Sequence, residues 1–327
     1  MILVTGGAGF IGSCLLAALE ARGHPLVVCD RLGHDDKWRN IAKRGLADIL
    51  APDELLPWLE APGRGLEAIF HLGAVSSTVE TDADLIVRSN FQLTMRLWDW
   101  CAARGVPLIY ASSAAVYGDG GQGFVDGEDA SAMARLRPLN AYGWSKLLTD
   151  RRIAALVASG APRPPQWAGL RFFNVYGPNE YHKGGQRSLV PQLHAQILAE
   201  GEARLFRSYR PDYPDGGQLR DFVWVDDVVA AMLWLLDHRE AGGILNLGSG
   251  RARSFADLAR AVFAAMGRPE RIRFVDMPEP LRPKYQYYTQ ADLGRLRAAG
   301  CPLQPVPLEE GVRRYVQDHL DAADPYR

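Results

Sequence analysis

The stretch that decides the fold is TGGAGFIG at residues 5–12. It follows the apolar run MILV at residues 1–4, which is typical of a buried parallel strand, and it precedes residues 13–22, where leucines recur at helical spacing. A strand, a glycine-rich turn and a helix in this order bring bare backbone and the free N–H groups of a helix N-terminus against a pyrophosphate. The stretch also fits G-x-G-x-x-G, so we predict a dinucleotide site rather than a turn without a ligand.

The composition indicates a globular protein of about two domains. The chain has 327 residues, of which 47% are hydrophobic and 23% charged, enough for a substantial core. A formal net charge of −1 gives no reason to expect nucleic acid or an anionic membrane as a partner. Because the chain begins inside its first predicted strand and holds no run of about 18 apolar residues, we expect neither a signal peptide nor a membrane span.

The cysteines and histidines do not suggest covalent or metal cross-links. Cys14, Cys29, Cys101 and Cys301 lie far apart and form no C-x-x-C pair, so we predict reduced thiols in a cytoplasmic protein. The seven histidines show no H-E-x-x-H pattern and have no cysteines at ligand spacing, so we expect no structural metal.

The second predicted strand, LVVCD at residues 26–30, ends in an acid that bears on cofactor choice. At this place in dinucleotide folds, a carboxylate such as Asp30 accepts the ribose hydroxyls and favours NAD. Arg31 and Lys37 add two cations that suit a 2′-phosphate, which the carboxylate alone would repel. We therefore predict NADP, with NAD less favoured, and the alternative is that both cations are solvated loop charges.

Two further strands are predicted at residues 67–74, EAIFHLGA, and at residues 106–113, VPLIYASS. Gly73 and Ala74 at the end of the first would let a cofactor approach the backbone closely. The second ends in the hydroxyl of Ser113, and the Gly- and Asp-rich residues 118–127 that follow predict an exposed loop.

The motif YGWSK at residues 142–146 predicts two of the catalytic residues. Tyr142 and Lys146 lie four apart and face the same side of a helix, and with Ser113 at a strand end they predict hydride transfer at an alcohol. Lowering the pKa of a tyrosine from ~10 to ~7 takes roughly 4 kcal/mol. One cation at ~4 Å supplies an energy on that order. We predict Tyr142 as the base, Lys146 as the cation that lowers its pKa, and Ser113 as a hydrogen-bond donor to the substrate oxygen.

The order of strands and helices predicts an α/β fold, a doubly wound parallel (Rossmann) sheet with a smaller interleaved α/β substrate domain. We assign residues 1–174 plus 221–250 to the nucleotide-binding domain and residues 175–220 plus 251–327 to the substrate-binding domain. The substrate is expected in the cleft between them.

Motifs along nearly the whole chain resemble the extended short-chain dehydrogenase/reductases. They are the 5–12 loop, IFHLGA at 69–74, YASSAAVYG at 110–118, RFFNVYGP at 171–178 and RDFV at 220–223. Two signals, EYHKGG at 180–185 and Tyr285 followed by Gln286, are similar to one family within them, the ADP-L-glycero-D-manno-heptose 6-epimerases.

This resemblance implies an epimerase that inverts C6 of ADP-D-glycero-D-manno-heptose to the L-glycero form, by transient oxidation and re-reduction with bound NADP. It also implies supply of lipopolysaccharide core heptose, a homopentamer, and Lys183 as a second catalytic base. The implied cofactor contacts are Gly6, Gly9, Phe10, Ile11, Gly12, Asp30, Arg31, Lys37, Asp48 at the adenine edge, Leu72, Gly73, Ala74, Val75, Ser76, Asn90, Tyr142, Lys146 and Val175. The implied substrate contacts are Ser113, Asn174, Gly185, Gln192, Phe206, Arg207, Ser208, Arg220 and Tyr285.

The chain departs from the family in places that bear on sugar recognition. Gly185 and Gln192 stand where related enzymes often carry serine and histidine, and the loop at residues 209–219 is longer. Arg207 and Arg210 could bind a diphosphate or pair with nearby aspartates.

Other functions are weighed against this one. A hexose 4-epimerase is the main alternative. A 4,6-dehydratase is disfavoured because Ala114 and Ala115 stand where related dehydratases carry Asp-Glu. A redox-sensing NADP-binding protein without turnover is the candidate from another class.

Overall fold

The computed structural model describes residues 1–63 and 65–327, with the side chains of residues 280, 283 and 284 outside the description. The strands are β1 (Ile2–Thr5), β2 (Leu26–Cys29), β3 (Asp48–Leu50), β4 (Ala68–His71), β5 (Leu108–Ser113), β6 (Trp167–Phe172), β7 (Asn174–Tyr176), β8 (Ala203–Phe206), β9 (Leu219–Trp224), β10 (Gly243–Leu247), β11 (Ala252–Ser254) and β12 (Ile272–Val275). The α-helices are α1 (Phe10–Ala21), α2 (Leu55–Glu60), α3 (Ala83–Ile86), α4 (Leu93–Arg104), α5 (Ala130–Arg135), α6 (Ala141–Ala158), α7 (Leu189–Glu200), α8 (Val225–Asp237), α9 (Phe255–Ala265), α10 (Gly294–Ala298) and α11 (Leu308–Tyr315).

Seven strands form one parallel sheet in the order β10-β6-β5-β4-β1-β2-β3. β1, β2 and β4 are buried along their full lengths, as expected for apolar strands with helices on both faces. The strand order reverses between β1 and β4, whose carboxyl ends meet where Thr5 pairs with His71. A crevice opens outside the strand ends at such a switch point, and ligands of doubly wound sheets bind there. The predicted Rossmann sheet is confirmed.

Two small sheets lie outside the large one. β9 pairs with β7 in parallel and with β11 in antiparallel orientation, and β8 pairs with β12. Residues of β7 and β9 line the same cavity as the strand ends of the large sheet. β9 runs across residues 220 and 221, where we placed a domain boundary, so the domain division stays a prediction.

Asn90 lies inside a continuous helical segment that begins with α3. Asp82 caps α3 by accepting a hydrogen bond from the N–H of Leu85, and a π-helical turn, Val87–Gln92, joins α3 to α4. Such turns are frequent at functional sites because they rotate one residue out of the regular helical register. Here the turn contains Asn90, which is completely buried.

Residues 118–127 are only partly the exposed loop that the sequence predicts. Phe124 and Asp126 are each 7% exposed. The Phe124 ring packs on Tyr117 and Phe173, and Asp126 Oδ2 accepts a hydrogen bond from the backbone N–H of Asn246. A single aromatic residue in a Gly- and Asp-rich stretch is therefore enough to bury part of it.

None of the helices that the structure describes has the length and apolar character that a membrane crossing requires. All four cysteines are free and buried. Within residues 1–63 and 65–327, no group of three or more His, Cys, Asp or Glu side chains is arranged to hold a metal ion.

Candidate active site

The glycine loop between β1 and α1 is shaped to take a phosphate against its backbone. Gly6 has a φ of +68°, and a Cβ there would lie 2.6 Å from the N atom of Gly73. A Cβ on Gly12 would overlap the carbonyl oxygen of Gly6. The backbone N–H of Ala8 donates to Asp30 Oδ2 at 2.9 Å, which ties the loop to the end of β2. Only glycine fits these positions, and the exposed backbone next to the α1 N-terminus fits a dinucleotide pyrophosphate.

A cavity of about 990 Å³ extends from this loop across the carboxyl ends of the strands. That volume lies at the upper end of the range for ligand pockets. Most predicted site residues line it: Gly6, Gly9, Phe10, Ile11, Gly12, Asp30, Lys37, Leu72, Gly73, Ala74, Val75, Ser76, Ser113, Tyr142, Lys146, Asn174, Val175, Lys183, Gly185 and Gln192. Residues from both predicted domains therefore face one space.

At the end of β2, the charged groups pair with each other. Lys37 Nζ donates to Asp30 Oδ1 at 2.6 Å and to the carbonyl of Arg31 at 2.8 Å. The Arg31 side chain is exposed and forms no ion pair with any residue in the described part of the chain. Lys37 thus partly neutralises the Asp30 carboxylate at the end of β2.

Three predicted cofactor residues, Arg31, Asp48 and Asn90, do not line the cavity. Asp48 lies at the N-terminal end of β3, away from the strand ends, and its carboxylate accepts hydrogen bonds from Ile49 N and Trp58 Nε1. Asn90 lies beneath the cavity wall. Its side chain bonds to both N and O of Val75 at 2.8 and 3.0 Å and donates to Ser145 Oγ. Asn90 therefore shapes the wall from behind, by holding the 72–76 loop.

The three residues predicted to carry the chemistry lie together. Ser113 is the last residue of β5, while Tyr142 and Lys146 lie on α6, which Asn140 caps through a hydrogen bond from Gly143 N. Ser113 and Tyr142 share a hydrogen bond. Lys146 Nζ donates to the carbonyl of Ala111 at 2.7 Å and lies 6.0 Å from the centre of the Tyr142 ring.

Burial governs the acid–base properties of this group. It raises the pKa of Tyr142, and the hydrogen bond with Ser113 only partly opposes that shift. Burial also lowers the pKa of Lys146 to about 8, although the carboxylate of Asp150 opposes the change. In the chain by itself, desolvation of the phenolate therefore sets the direction of the Tyr142 pKa shift, and the role of Lys146 beside a bound nicotinamide stays a prediction.

A buried ion pair supports α6 from below. Asp150 and Arg171 are 0% and 1% exposed, and Arg171 Nε donates to Asp150 Oδ2 at 2.9 Å. The same carboxylate accepts hydrogen bonds from Tyr110 OH and Ser112 Oγ on β5. A buried carboxylate with three donors is strongly directional, so this pair sets the position of α6 against the strand that ends in Ser113.

Lys183 reaches the cavity from a different segment of the chain, next to the glycine loop. It lies on a 3₁₀ helix, Tyr181–Gln186, and its Nζ is 5.6 Å from the centre of the Phe10 ring. Burial lowers its pKa, which the nearby Glu180 opposes. Glu180 is completely buried and accepts hydrogen bonds from Ser188 and from Tyr315 OH. A lysine with a lowered pKa exchanges a proton more readily near neutral pH than an exposed one.

Three of the remaining predicted substrate residues, Phe206, Arg220 and Tyr285, form a cluster outside the cavity lining. The Arg220 guanidinium is 5.4 Å from the Phe255 ring centre and 5.2 Å from that of Tyr285, and Phe206 meets Tyr285 edge to face. Arg220 is 7% exposed and forms no ion pair within the described residues. Phe255 lines the cavity, so the cluster continues its wall.

The exposed arginines of the 207–219 loop pair with acids. Arg207 lies 3.8 Å from Asp276, and Arg210 lies 3.3 Å from Asp212. Ser208 accepts from and donates to the backbone of Arg210. These contacts match the solvated alternative, and the diphosphate contact of Arg207 and Arg210 stays a prediction.

Several lining residues were not predicted as site residues. They are Ser77, Thr78, Val79, Ala111, Ser112, Phe172, Phe173, His182, Gln186, Arg187, Ser188, Leu189, Phe222 and Phe255. Gln186 donates to Ser77 Oγ at 2.8 Å and joins the two sides of the cavity mouth. No spacing pattern in the sequence points to these residues, although His182 lies within the EYHKGG motif at residues 180–185.

The chain matches a known family over most of its length. A sequence model of the NAD dependent epimerase/dehydratase family matches residues 2–248. The chain belongs to this family. It is 47% identical to the ADP-L-glycero-D-manno-heptose-6-epimerase of Nitratidesulfovibrio vulgaris, over 100% of both chains.

Solved structures of the same fold agree with this family. The Helicobacter pylori ADP-L-glycero-D-manno-heptose-6-epimerase is 28% identical with a TM-score of 0.77, over 97% of this chain and 95% of that one. The Thermus thermophilus UDP-glucose 4-epimerase in complex with NAD is 27% identical with a TM-score of 0.73, over 98% and 99%. A nicotinamide cofactor is thus expected for this chain as a family member.

Proposed function

We propose that this chain is an epimerase that inverts C6 of ADP-D-glycero-D-manno-heptose. The observation that carries the proposal is the presence of two proton-transfer groups, Tyr142 and Lys183, in the lining of one cavity that also holds the glycine loop. The full-length similarity to an enzyme named for this reaction supports the choice of sugar. The EYHKGG motif at residues 180–185, on which Lys183 stands, supports it as well.

The reaction oxidises the C6 hydroxyl to a ketone and reduces it on the opposite face, and a bound nicotinamide supplies the hydride chemistry for both halves. Tyr142 takes the hydroxyl proton, and Ser113 donates a hydrogen bond to the same oxygen as it gains charge. Because the carbonyl must turn over in the pocket, its oxygen leaves Tyr142. Lys183 supplies the proton in the second orientation.

We further propose NADP as the cofactor, on the strength of Lys37 beside Asp30 and of the exposed Arg31 guanidinium. Asn174, Gly185, Gln192 and the Arg220 cluster would bind the sugar nucleotide, and Val175 would contact the cofactor. The proposed setting is the cytoplasm, in the supply of lipopolysaccharide core heptose, and the proposed assembly is a homo-oligomer, a pentamer by family resemblance.

A hexose 4-epimerase is the second candidate. The fold similarity to a UDP-glucose 4-epimerase supports it, at lower identity than the heptose relatives have. A dehydratase needs an acid next to the strand-end hydroxyl, whereas Ala114 and Ala115 occupy that place and Ala115 N donates to Ser113 Oγ.

The test is to incubate the protein with ADP-D-glycero-D-manno-heptose and to follow the configuration at C6 by NMR. We expect conversion toward a mixture of the two C6 epimers without net consumption of NADPH. Inversion of C4 of a UDP-hexose, with an unchanged heptose, would instead establish the second candidate. Absence of turnover with either, together with tight NADP binding, would favour a cofactor-sensing protein.

A further inference from the structure

His182 is a cavity residue whose orientation is held by a single buried amide. Asn40 is 1% exposed, and its Nδ2 lies 2.9 Å from Ala8 O, 2.9 Å from Asn179 O and 3.2 Å from His182 Nδ1. The amide cannot be turned around, because its oxygen would then face two carbonyl oxygens. One side chain thus joins the glycine loop to the segment that leads into His182.

This contact decides which nitrogen of the imidazole carries the proton. The two hydrogens of Asn40 Nδ2 point to its carbonyl partners at 2.9 Å, and the nitrogen has no lone pair with which to accept. A proton on His182 Nδ1 would therefore face a group that cannot accept it. In the neutral ring, the proton therefore lies on Nε2. Nε2 forms no hydrogen bond within the residues that the structure describes, while His182 lines the cavity. The protein thus offers a fixed N–H donor to a ligand.

The charges around His182 keep the ring neutral. Burial is the largest cause that lowers its pKa, to about 4, and the ammonium groups of Lys37 and Lys183 lower it further. Asp30 and Asp35 face it as well and act in the opposite direction. A third positive charge between two lysines is unfavourable, so the ring contributes a hydrogen bond without a charge.

The surroundings define what this donor can bind. The glycine loop presents backbone N–H groups beside the α1 N-terminus, and Lys37, Lys183 and the Nε2–H of His182 lie on the same part of the cavity lining. All of these groups donate hydrogen bonds or carry positive charge, which suits a phosphate. We propose that His182 binds a phosphate oxygen of the dinucleotide as a neutral hydrogen-bond donor. This inference rests on the proposed binding of a dinucleotide.

The experiment measures cofactor affinity and needs no sugar substrate. Protein freed of nucleotide is titrated with NADP⁺ and with NAD⁺ by calorimetry, for the native chain, His182→Phe and His182→Gln. Phe keeps the ring volume and removes the donor, and it leaves Asn40 its two carbonyl partners. We expect His182→Phe to weaken binding by about 10- to 100-fold, the usual cost of losing a hydrogen bond to a charged group. Gln places an amide N–H near the Nε2 position and should restore most of the affinity.

Comparison of the affinities for NADP⁺ and NAD⁺ shows which phosphate His182 contacts. A loss confined to NADP⁺ assigns the 2′-phosphate, and an equal loss for NAD⁺ assigns the pyrophosphate. A matched control, His24→Phe, changes a histidine outside the cavity that pairs with Glu67, and it should leave both affinities unchanged. Thermal unfolding of each variant shows whether it folds, and His182→Gln keeps the test decisive if His182→Phe does not.

The pH dependence tests the neutral state. Since the pKa of the ring lies near 4, the affinity ratio between the native chain and His182→Gln should stay constant from pH 6 to pH 9. A ratio that grows as the pH falls below about 7 would mean that an imidazolium binds and would overturn the proposal, as would equal affinities of His182→Phe and the native chain. If the native chain binds neither dinucleotide, the proposed function fails as well, so the two failures are distinguishable.

Discussion

The two proton-transfer groups reach the cavity on very different supports. Tyr142 lies on α6, an 18-residue helix whose position is set by the buried Asp150–Arg171 pair. Lys183 lies on a six-residue 3₁₀ helix in which Gly184 has non-helical backbone angles. Regular backbone hydrogen bonds of a helix hold Tyr142, whereas side chains from distant parts of the chain hold the segment that carries Lys183.

Those distant contacts come largely from the segment at residues 315–327. Tyr315 OH donates to Glu180, and Tyr181 OH donates to Pro325 O while its ring meets that of Tyr326 edge to face. Arg39 lies on the same 3₁₀ helix as Lys37, and its guanidinium is 5.0 Å from the centre of the Tyr326 ring. The comparison teaches that regular helix geometry places Tyr142 and Lys146 relative to each other, whereas the position of Lys183 depends on long-range side-chain packing.

Tyr142→Phe should have the largest effect, because it removes the group that is proposed to take the hydroxyl proton of the substrate. We expect turnover in both directions to fall by ~10²–10⁴-fold, the usual range for general acid–base catalysis. Cofactor affinity should stay near the native value, since the hydroxyl oxygen is the only atom removed. The measurement is the rate of C6 inversion by NMR beside a cofactor titration. Near-native inversion would rule out the role of Tyr142.

Lys183→Met should affect the two C6 configurations unequally. An aldehyde analogue of the sugar nucleotide, which either orientation can oxidise and reduce, separates the two half-reactions. We expect a loss of roughly 10²-fold for one configuration and a much smaller loss for the other.

Lys183→Arg is the matched control for this test. Arginine keeps the positive charge but does not give up a proton near neutral pH. If Lys183 is a proton-transfer group, Lys183→Arg stays impaired for the same configuration. Recovery in Lys183→Arg, or an equal rise of KM for both configurations in Lys183→Met, would show that Lys183 binds a phosphate as a plain cation.

The pH profile should show an alkaline limb that belongs to Lys146. Because burial lowers the pKa of Lys146 to about 8, the ammonium next to Tyr142 is lost as the pH rises through that value. We expect kcat/KM to fall by up to ~10-fold per pH unit above it. In Lys146→Arg the charge persists, so this limb should disappear even if the maximal rate is lower. A limb that persists there but disappears in Lys183→Met would assign it to Lys183, whose pKa is also lowered.

Lys37→Ala should have the smallest effect, a change in cofactor preference. Removal of the cation leaves the Asp30 carboxylate unpaired, so we expect the ratio of NADP to NAD affinity to fall by roughly 10-fold. Lys43→Ala is the control, since Lys43 is a nearby lysine that pairs with Asp324. An unchanged ratio in Lys37→Ala would favour NAD and overturn the NADP assignment.

The sequence alone predicted the parts of the site whose geometry is local. The glycine loop at residues 5–12 and the Tyr142–Lys146 pair depend on contacts within a few residues, so spacing is enough to reveal them. Asp48 is a position that spacing alone does not decide. It begins β3 and does not line the cavity, so its contact with the adenine edge stays a prediction.

The tertiary structure decided everything that depends on burial and on long-range contacts. Spacing does not report the desolvation that raises the pKa of Tyr142, nor the contact between Asn40 and His182, which lie 142 residues apart. These properties arise when separate elements pack and exclude water, because the electrostatic cost of a charge depends on all of its neighbours in space. The sequence by itself therefore determined the fold, the glycine loop and the Tyr142–Lys146 pair, and only packing decided how Lys183 and His182 are presented to the cavity.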